Sequence, residues 1–159
     1  MVDITEISAI VAAAGVIVGV VYYILDMRHQ SKVRETNMVM RLYATFGRSE
    51  FQKAYETMKI LEFEDYADYW KRYSTNAEVR AAFMSVNIFF EGIGVLVKRK
   101  LVNMDLVDDL LSAPIVSTWE KMKPLVEGIR KRTPQSWEWF EYLYNEMMKR
   151  EQKLQQSKA

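Results

Sequence analysis

Glu91 is the side chain of this sequence best placed to do chemistry. It stands between Phe90 and Gly92 in Ala81 to Val97 (AAFMSVNIFFEGIGVLV), the most apolar stretch beyond the first 25 residues. A carboxylate in such surroundings is desolvated and needs a cation, or its pKa rises, which is the condition for proton handling or ligand binding. Arg41, Arg48 and Arg130 fall in other predicted helices and are candidate partners. Asn87, one turn earlier, would supply a supporting hydrogen bond. Asn87 and Glu91 are therefore the candidate buried polar site. An ion pair organising a helix bundle, or a solvated stripe, is preferred to proton handling as the reason for it.

The rest of the chemical inventory is thin. The one histidine, His29, lies between Arg28 and Gln30 with no ligand or base beside it, and there is no cysteine. That leaves no thiol nucleophile, no disulfide and no basis for a zinc site. Glu62, Glu64, Asp65 and Asp68 offer carboxylates, but acids so close in sequence spread around a helix rather than converge on a cation, so a solvated or partner-facing patch is expected. Neither a G-x-S-x-G elbow nor a P-loop occurs, and Gly92 and Gly94 sit inside a helix pattern rather than between a strand and a helix. No metal, no cofactor and no enzymatic activity is expected, and no small-molecule substrate is identified.

The elements that carry these residues begin with Ile7 to Leu25 (ISAIVAAAGVIVGVVYYIL), nineteen residues without a charge. As a helix this run spans roughly 28 Å, the thickness of a bilayer's hydrocarbon core. Tyr22 and Tyr23 would lie at the interface. Asp3 and Glu6 precede the span, while Arg28, Lys32 and Arg34 follow it, which predicts the N-terminus outside and the C-terminal part in the cytoplasm of a single-pass cell-membrane protein. A cleaved signal peptide, which wants a basic start, and a soluble core helix are the less favoured readings. Gly15 and Gly19 form a G-x-x-x-G pair, and Ser8 and Ala12 extend a small-residue face on which another helix could pack, although Gly is common in membrane helices generally.

All 22 Lys and Arg lie beyond residue 25, against 19 acids, a balance too mild for nucleic acid. The expected organisation is an N-terminal tail and transmembrane helix over 1–25, a polar stalk over 26–37, a cytoplasmic helical domain over 38–150 and a polar tail over 151–159. Gly47 reads as a helix C-cap. Ser49 with Gln52 and Thr75 with Glu78 read as capping boxes, the first opening a helix through Ile60. The aromatics at 63, 66, 69, 70 and 73 recur at helical spacing. Arg80, Asn87, Glu91 and Lys98 fall within about 40° on the helix over 81–97, giving one polar stripe on an otherwise apolar central helix. A second membrane span there is disfavoured, because Asn87 and Glu91 are costly in lipid.

Asn103 caps a short helix, Pro114 opens another, Pro124 interrupts, and Thr133-Pro134 starts the last one. On that helix Trp137, Phe140, Leu143, Tyr144 and Met147 share a face, leaving Trp139 and Tyr142 as a candidate partner surface. The basic runs 98–100 and 130–132 are solvated helix ends or weak contacts for anionic lipid. No strand pattern appears, so the fold class is all-α: one N-terminal transmembrane helix followed by a cytoplasmic multi-helix bundle.

The segment FFEGIGVLVK (Phe89 to Lys98), the following LVNMDLVDDLL, Trp119, and WEWFEYL (Trp137 to Leu143) resemble a family of uncharacterised prokaryotic single-span membrane proteins with a helical cytoplasmic domain of unknown function. The resemblance implies that architecture and carries over no catalytic residue. The expected function is a non-catalytic, membrane-anchored accessory or regulatory protein whose partners are the bilayer and other protein subunits. The alternative is a self-associating scaffold or sensor paired through Gly15 and Gly19.

Overall fold

Six helices and, among the described residues, no strand make up the computed structural model: α1 (Ile4–Phe46), α2 (Ser49–Ile60), α3 (Tyr66–Tyr73), α4 (Ala77–Lys98), α5 (Met104–Arg130) and α6 (Glu138–Lys158). The structure describes residues 3–158, and within them every side chain except those of residues 5–7, 9, 10, 157 and 158. The chain divides after Asn37 into two compact units.

In the first unit the apolar part of α1 is uncovered. Val16, Ile17, Val18, Tyr22 and Tyr23 are all exposed, and the helix is long and apolar enough to cross a membrane. The polar turns that follow satisfy their own groups: Gln30 donates to Asp26 Oδ2 at 2.8 Å and Ser31 Oγ to the Met27 carbonyl at 2.9 Å.

The second unit is a helical bundle. Its core is built from one face each of α4, α5 and α6, with α4 packed on α2 and α6, and α5 packed on α6 and α3. Phe90, Ile93, Val107, Leu111, Ile115, Met122, Phe140 and Leu143 are inaccessible to solvent. Phe46, at the end of α1, joins an aromatic cluster with Tyr55 at 5.3 Å and Phe51 at 5.5 Å, and Phe51 meets Phe89 at 4.6 Å. Rings at such separations interact favourably beyond their area burial.

Several boundaries differ from the expectation. Gly47 follows α1 directly but has no positive φ, so the turn uses ordinary backbone. Ser49 is not a cap: Arg48 occupies that position with no side-chain hydrogen bond, and Gln52 instead donates to the Phe46 carbonyl at 2.6 Å. Asn76, not Thr75, caps α4 by accepting from Val79 N at 3.1 Å. Ser, Thr, Asn and Asp compete for the same backbone donors, so neighbouring candidates are not separable by type alone. The helical spacing of aromatics expected from residue 63 to 73 is helix only from Tyr66, because Asp65 accepts from Asp68 N at 2.9 Å and fixes the start there. Asn103 caps α5 as expected, accepting from Asp105 N at 2.7 Å.

Two larger corrections concern prolines. Pro114 and Pro124 lie inside one continuous 27-residue helix, α5. Interior proline costs roughly 3 kcal/mol, and burial of Ile115, Trp119, Met122 and Leu125 along the same helix outweighs it. Thr133-Pro134 does not start α6; residues 134–137 form a turn, and the helix begins at Glu138 after Trp137 in a left-handed conformation (φ 58°). Nor is α4 enclosed on all sides. Like the N-terminal helix it is long and apolar enough to cross a membrane, yet one face fills the core while Met84 and Ile88 on the other are 45% and 56% exposed.

Candidate functional site

Glu91 reaches from α4 to the first turn of α6. Its Oε2 accepts a hydrogen bond from the backbone N–H of Phe140 at 2.7 Å, and the N–H of Trp139 also favours its charged form. Trp137, whose carbonyl accepts from Glu141 N at 3.1 Å, holds the capping position of α6 but has no side-chain acceptor to offer. Free N–H groups at a helix start need partners, and the positive end of the helix dipole favours an anion. Glu91 is therefore an N-cap supplied from another helix. Among the described residues neither Arg41, Arg48 nor Arg130 forms an ion pair with it, and Arg130 pairs with Glu141 instead. Burial raises its pKa; the Phe140 and Trp139 amides and the charge of Arg130 oppose that, while Glu138 adds to it.

The approach of α6 to α4 depends on Gly94. A Cβ built there would lie 2.0 Å from the Trp139 carbonyl oxygen, so no larger residue fits without a shift. Gly128 does the same for α5 and α3, where a Cβ would lie 2.1 Å from Tyr66 Cβ. Arg130 completes the α5–α6 connection. Its Nε donates to the Ser136 carbonyl at 2.9 Å, an NH group pairs with Glu141 at 2.7 Å, and its guanidinium lies 5.9 Å from the Trp119 ring centroid.

Asn87 is fully buried, yet it does not support Glu91: its amide donates to the Phe83 carbonyl of its own helix at 2.8 Å. Its Oδ1, the Trp137 Nε1 and the Tyr69 hydroxyl are buried without a hydrogen-bond partner. Trp139 and Tyr142 are half-buried beneath Lys98, whose ammonium sits 5.9 Å and 4.9 Å from their ring centroids. The acidic cluster is used locally. Asp65 caps α3, and Asp68 bonds Arg72 at 2.7 Å, which pulls its pKa down. No group of three His, Cys, Asp or Glu able to hold a metal occurs among the described residues.

In the first unit, Ser8 Oγ donates to the Ile4 carbonyl at 2.9 Å, and Ala12, Gly15 and Gly19 are exposed. A Cβ at either glycine would meet nothing within 4 Å. Tyr22, Tyr23, Arg28, His29, Lys32 and Arg34 are likewise exposed.

Sequence reasoning missed the dependence on Gly94 and Gly128, because each is a contact between segments distant in the chain; it named Arg130 as a partner for Glu91, whereas Arg130 pairs with Glu141. It also missed a cavity of about 200 Å³ between α3, α4 and α5, whose lining includes Tyr69 and Arg80.

No curated protein and no solved structure matches the chain. A family model does, over residues 9–147, a range that takes in the uncovered apolar helix and the bundle through Met147. The chain belongs to the family described as Domain of unknown function (DUF4760).

Proposed function

We propose that this protein is a non-catalytic, membrane-anchored accessory or regulatory subunit of a larger membrane complex. Its N-terminal helix sits in the bilayer with the N-terminus outside, and its helical domain docks on a protein partner in the cytoplasm. The observation that carries the reading is the uncovered apolar helix: none of its most apolar window is buried within the fold, and exposed apolar area of that extent is costly in water. The basic residues Arg28, Lys32 and Arg34 after the span support the orientation.

The cysteine-free sequence makes the topology test direct. A single cysteine introduced at Asp3 should react with an impermeant thiol reagent on intact cells, and one at Lys153 only after lysis; the reverse pattern removes the orientation. Gentle detergent extraction followed by mass spectrometry tests the role. A defined membrane complex in stoichiometric amount supports an accessory subunit.

A second reading, a self-associating scaffold or sensor, is favoured by the open face at Gly15 and Gly19, where nothing lies within 4 Å of an added Cβ. Purified protein that is dimeric alone, and monomeric as Gly15→Leu, would select it.

A further inference from the structure

One face of α4 is left uncovered by the bundle. Ala81, Met84, Ser85, Ile88, Gly92 and Val95 fall within an arc of about 100° around that helix. All are exposed except the half-buried Val95, and none carries a charge. From Ala81 to Val95 the face runs about 21 Å along the helix axis. An apolar helix face of this kind marks a surface that meets another.

The order of residues along the face says what covers it. Ile88 is at its centre, and the pattern is complementary to itself when reversed. Met84 stands four residues before Ile88 and Gly92 four after it; Ala81 stands seven before and Val95 seven after. A second copy of α4, antiparallel about a two-fold axis at Ile88, therefore sets Met84 of each chain over Gly92 of the other. A Cβ added at Gly92 would meet nothing within 4 Å, so there is room for that side chain, and methionine is suited to filling such a gap. Ala81, small, falls opposite the larger Val95. The charges at the ends agree. Glu78 lies in the first turn of α4 and Arg99 at its C-cap. Both are exposed, and neither forms an ion pair among the described residues. The antiparallel copy brings Glu78 of each chain beside Arg99 of the other, whereas a parallel copy would set like charges together. The flanking cations are engaged elsewhere: Arg80 donates to the Ser74 carbonyl, and Lys98 lies over the Trp139 and Tyr142 rings. A lipid surface would favour cations along the whole border of the face, and Glu78 at one end does not suit it.

We propose that α4 pairs with α4 of a second copy of this chain, antiparallel and centred on Ile88, with Met84 seated over Gly92 and Glu78 beside Arg99. Such a contact is isologous, so each of its interactions occurs twice. A single helix pair buries less than a standard interface, so the association is reversible. The inference goes beyond the accessory role and rests on the bundle, not on the membrane helix.

The cysteine-free sequence again makes the test direct. Full-length protein in mild detergent is oxidised with copper phenanthroline, and Glu120→Cys, exposed on α5, is the control. Ile88→Cys should form a disulfide dimer at least about tenfold faster than the control. Met84→Cys mixed with Gly92→Cys should give the mixed dimer, and Met84→Cys alone should not cross-link above the control, because its two copies lie beyond disulfide reach. The Ile88→Cys cross-link should survive Gly15→Leu, which separates this pairing from one through the membrane helix. Association of the cysteine-free chain, followed by light scattering, should weaken about fivefold with Arg99→Glu. Adding Glu78→Arg to that variant should restore it. Since Met84 and Ile88 are exposed and Gly92 has open space above it, the cysteine variants should melt close to the parent. Ile88→Cys no faster than the control would overturn the proposal and leave lipid or another protein as the occupant. Self-cross-linking of Met84→Cys, loss of the Ile88→Cys cross-link with Gly15→Leu, or no restoration by the charge swap would each overturn it as well.

Discussion

Glu91 and Phe140, 49 residues apart in sequence, are joined by a 2.7 Å hydrogen bond from the Phe140 N–H to the Glu91 carboxylate. The side chain that looks most like a catalytic group instead ties α4 to the start of α6, next to the point where Gly94 admits the Trp139 backbone. Replacing Glu91 by Ala leaves buried N–H groups unpaired and should cost about 1–3 kcal/mol. Glu91→Gln keeps a carbonyl acceptor and should cost under about 1 kcal/mol. Urea unfolding of the two variants, read by circular dichroism, gives the comparison; equal losses would contradict the capping role.

The raised pKa of Glu91 has a definite consequence for stability. The folded chain holds this proton to higher pH than the unfolded chain, whose value lies near 4.5. The stability that protonation contributes is complete below that value and is lost as pH rises through the folded-state pKa. Unfolding free energy should therefore fall with pH just above 4.5, and Glu91→Gln should flatten that segment. A segment that rises in the parent and flattens in the variant would mean that the amide donors outweigh burial.

Two glycines of α4, two residues apart, should respond in opposite ways. Gly94→Ala drives a methyl into the Trp139 backbone, and overpacking of that kind costs about 1–3 kcal/mol. Gly92→Ala meets nothing within 4 Å and should gain up to about 1 kcal/mol from helix propensity. Thermal melts of both variants check the contrast.

The end of α4 is a Schellman turn with lysine where glycine is usual. Leu101 N bonds the Leu96 carbonyl and Lys100 N the Val97 carbonyl, both at 2.9 Å, with Lys100 at φ 57°. Lys100→Gly should stabilise the fold by about 0.5–1 kcal/mol by relieving the left-handed side-chain clash. Lys100→Ala, still left-handed, should not.

The caps separate what the backbone uses from what the residue types suggest. Asn76→Ala should cost about 1 kcal/mol and Thr75→Ala close to nothing, because only Asn76 accepts from Val79 N. Comparable losses from both would restore the expected Thr75–Glu78 capping box.

The sequence by itself determined the helical class, the uncovered apolar span, the extent of α2 through Ile60 and the cap at Asn103. These follow from periodicity, uninterrupted apolar length and a local side-chain acceptor, all written within a few residues of one another. It also marked the packing face of α6, with Phe140, Leu143 and Met147 buried together. Tertiary structure alone decided the rest. Pro114 and Pro124 stay inside α5 because the burial of Ile115, Trp119, Met122 and Leu125 outweighs a local penalty. The start of α6 moves from Thr133 to Glu138 because its first amides are held by Glu91 of another helix, a partner no local pattern can announce. Glu91 found N–H groups rather than an arginine for the same reason. A buried carboxylate states in sequence that it needs donors, but which donors arrive depends on where distant segments pack.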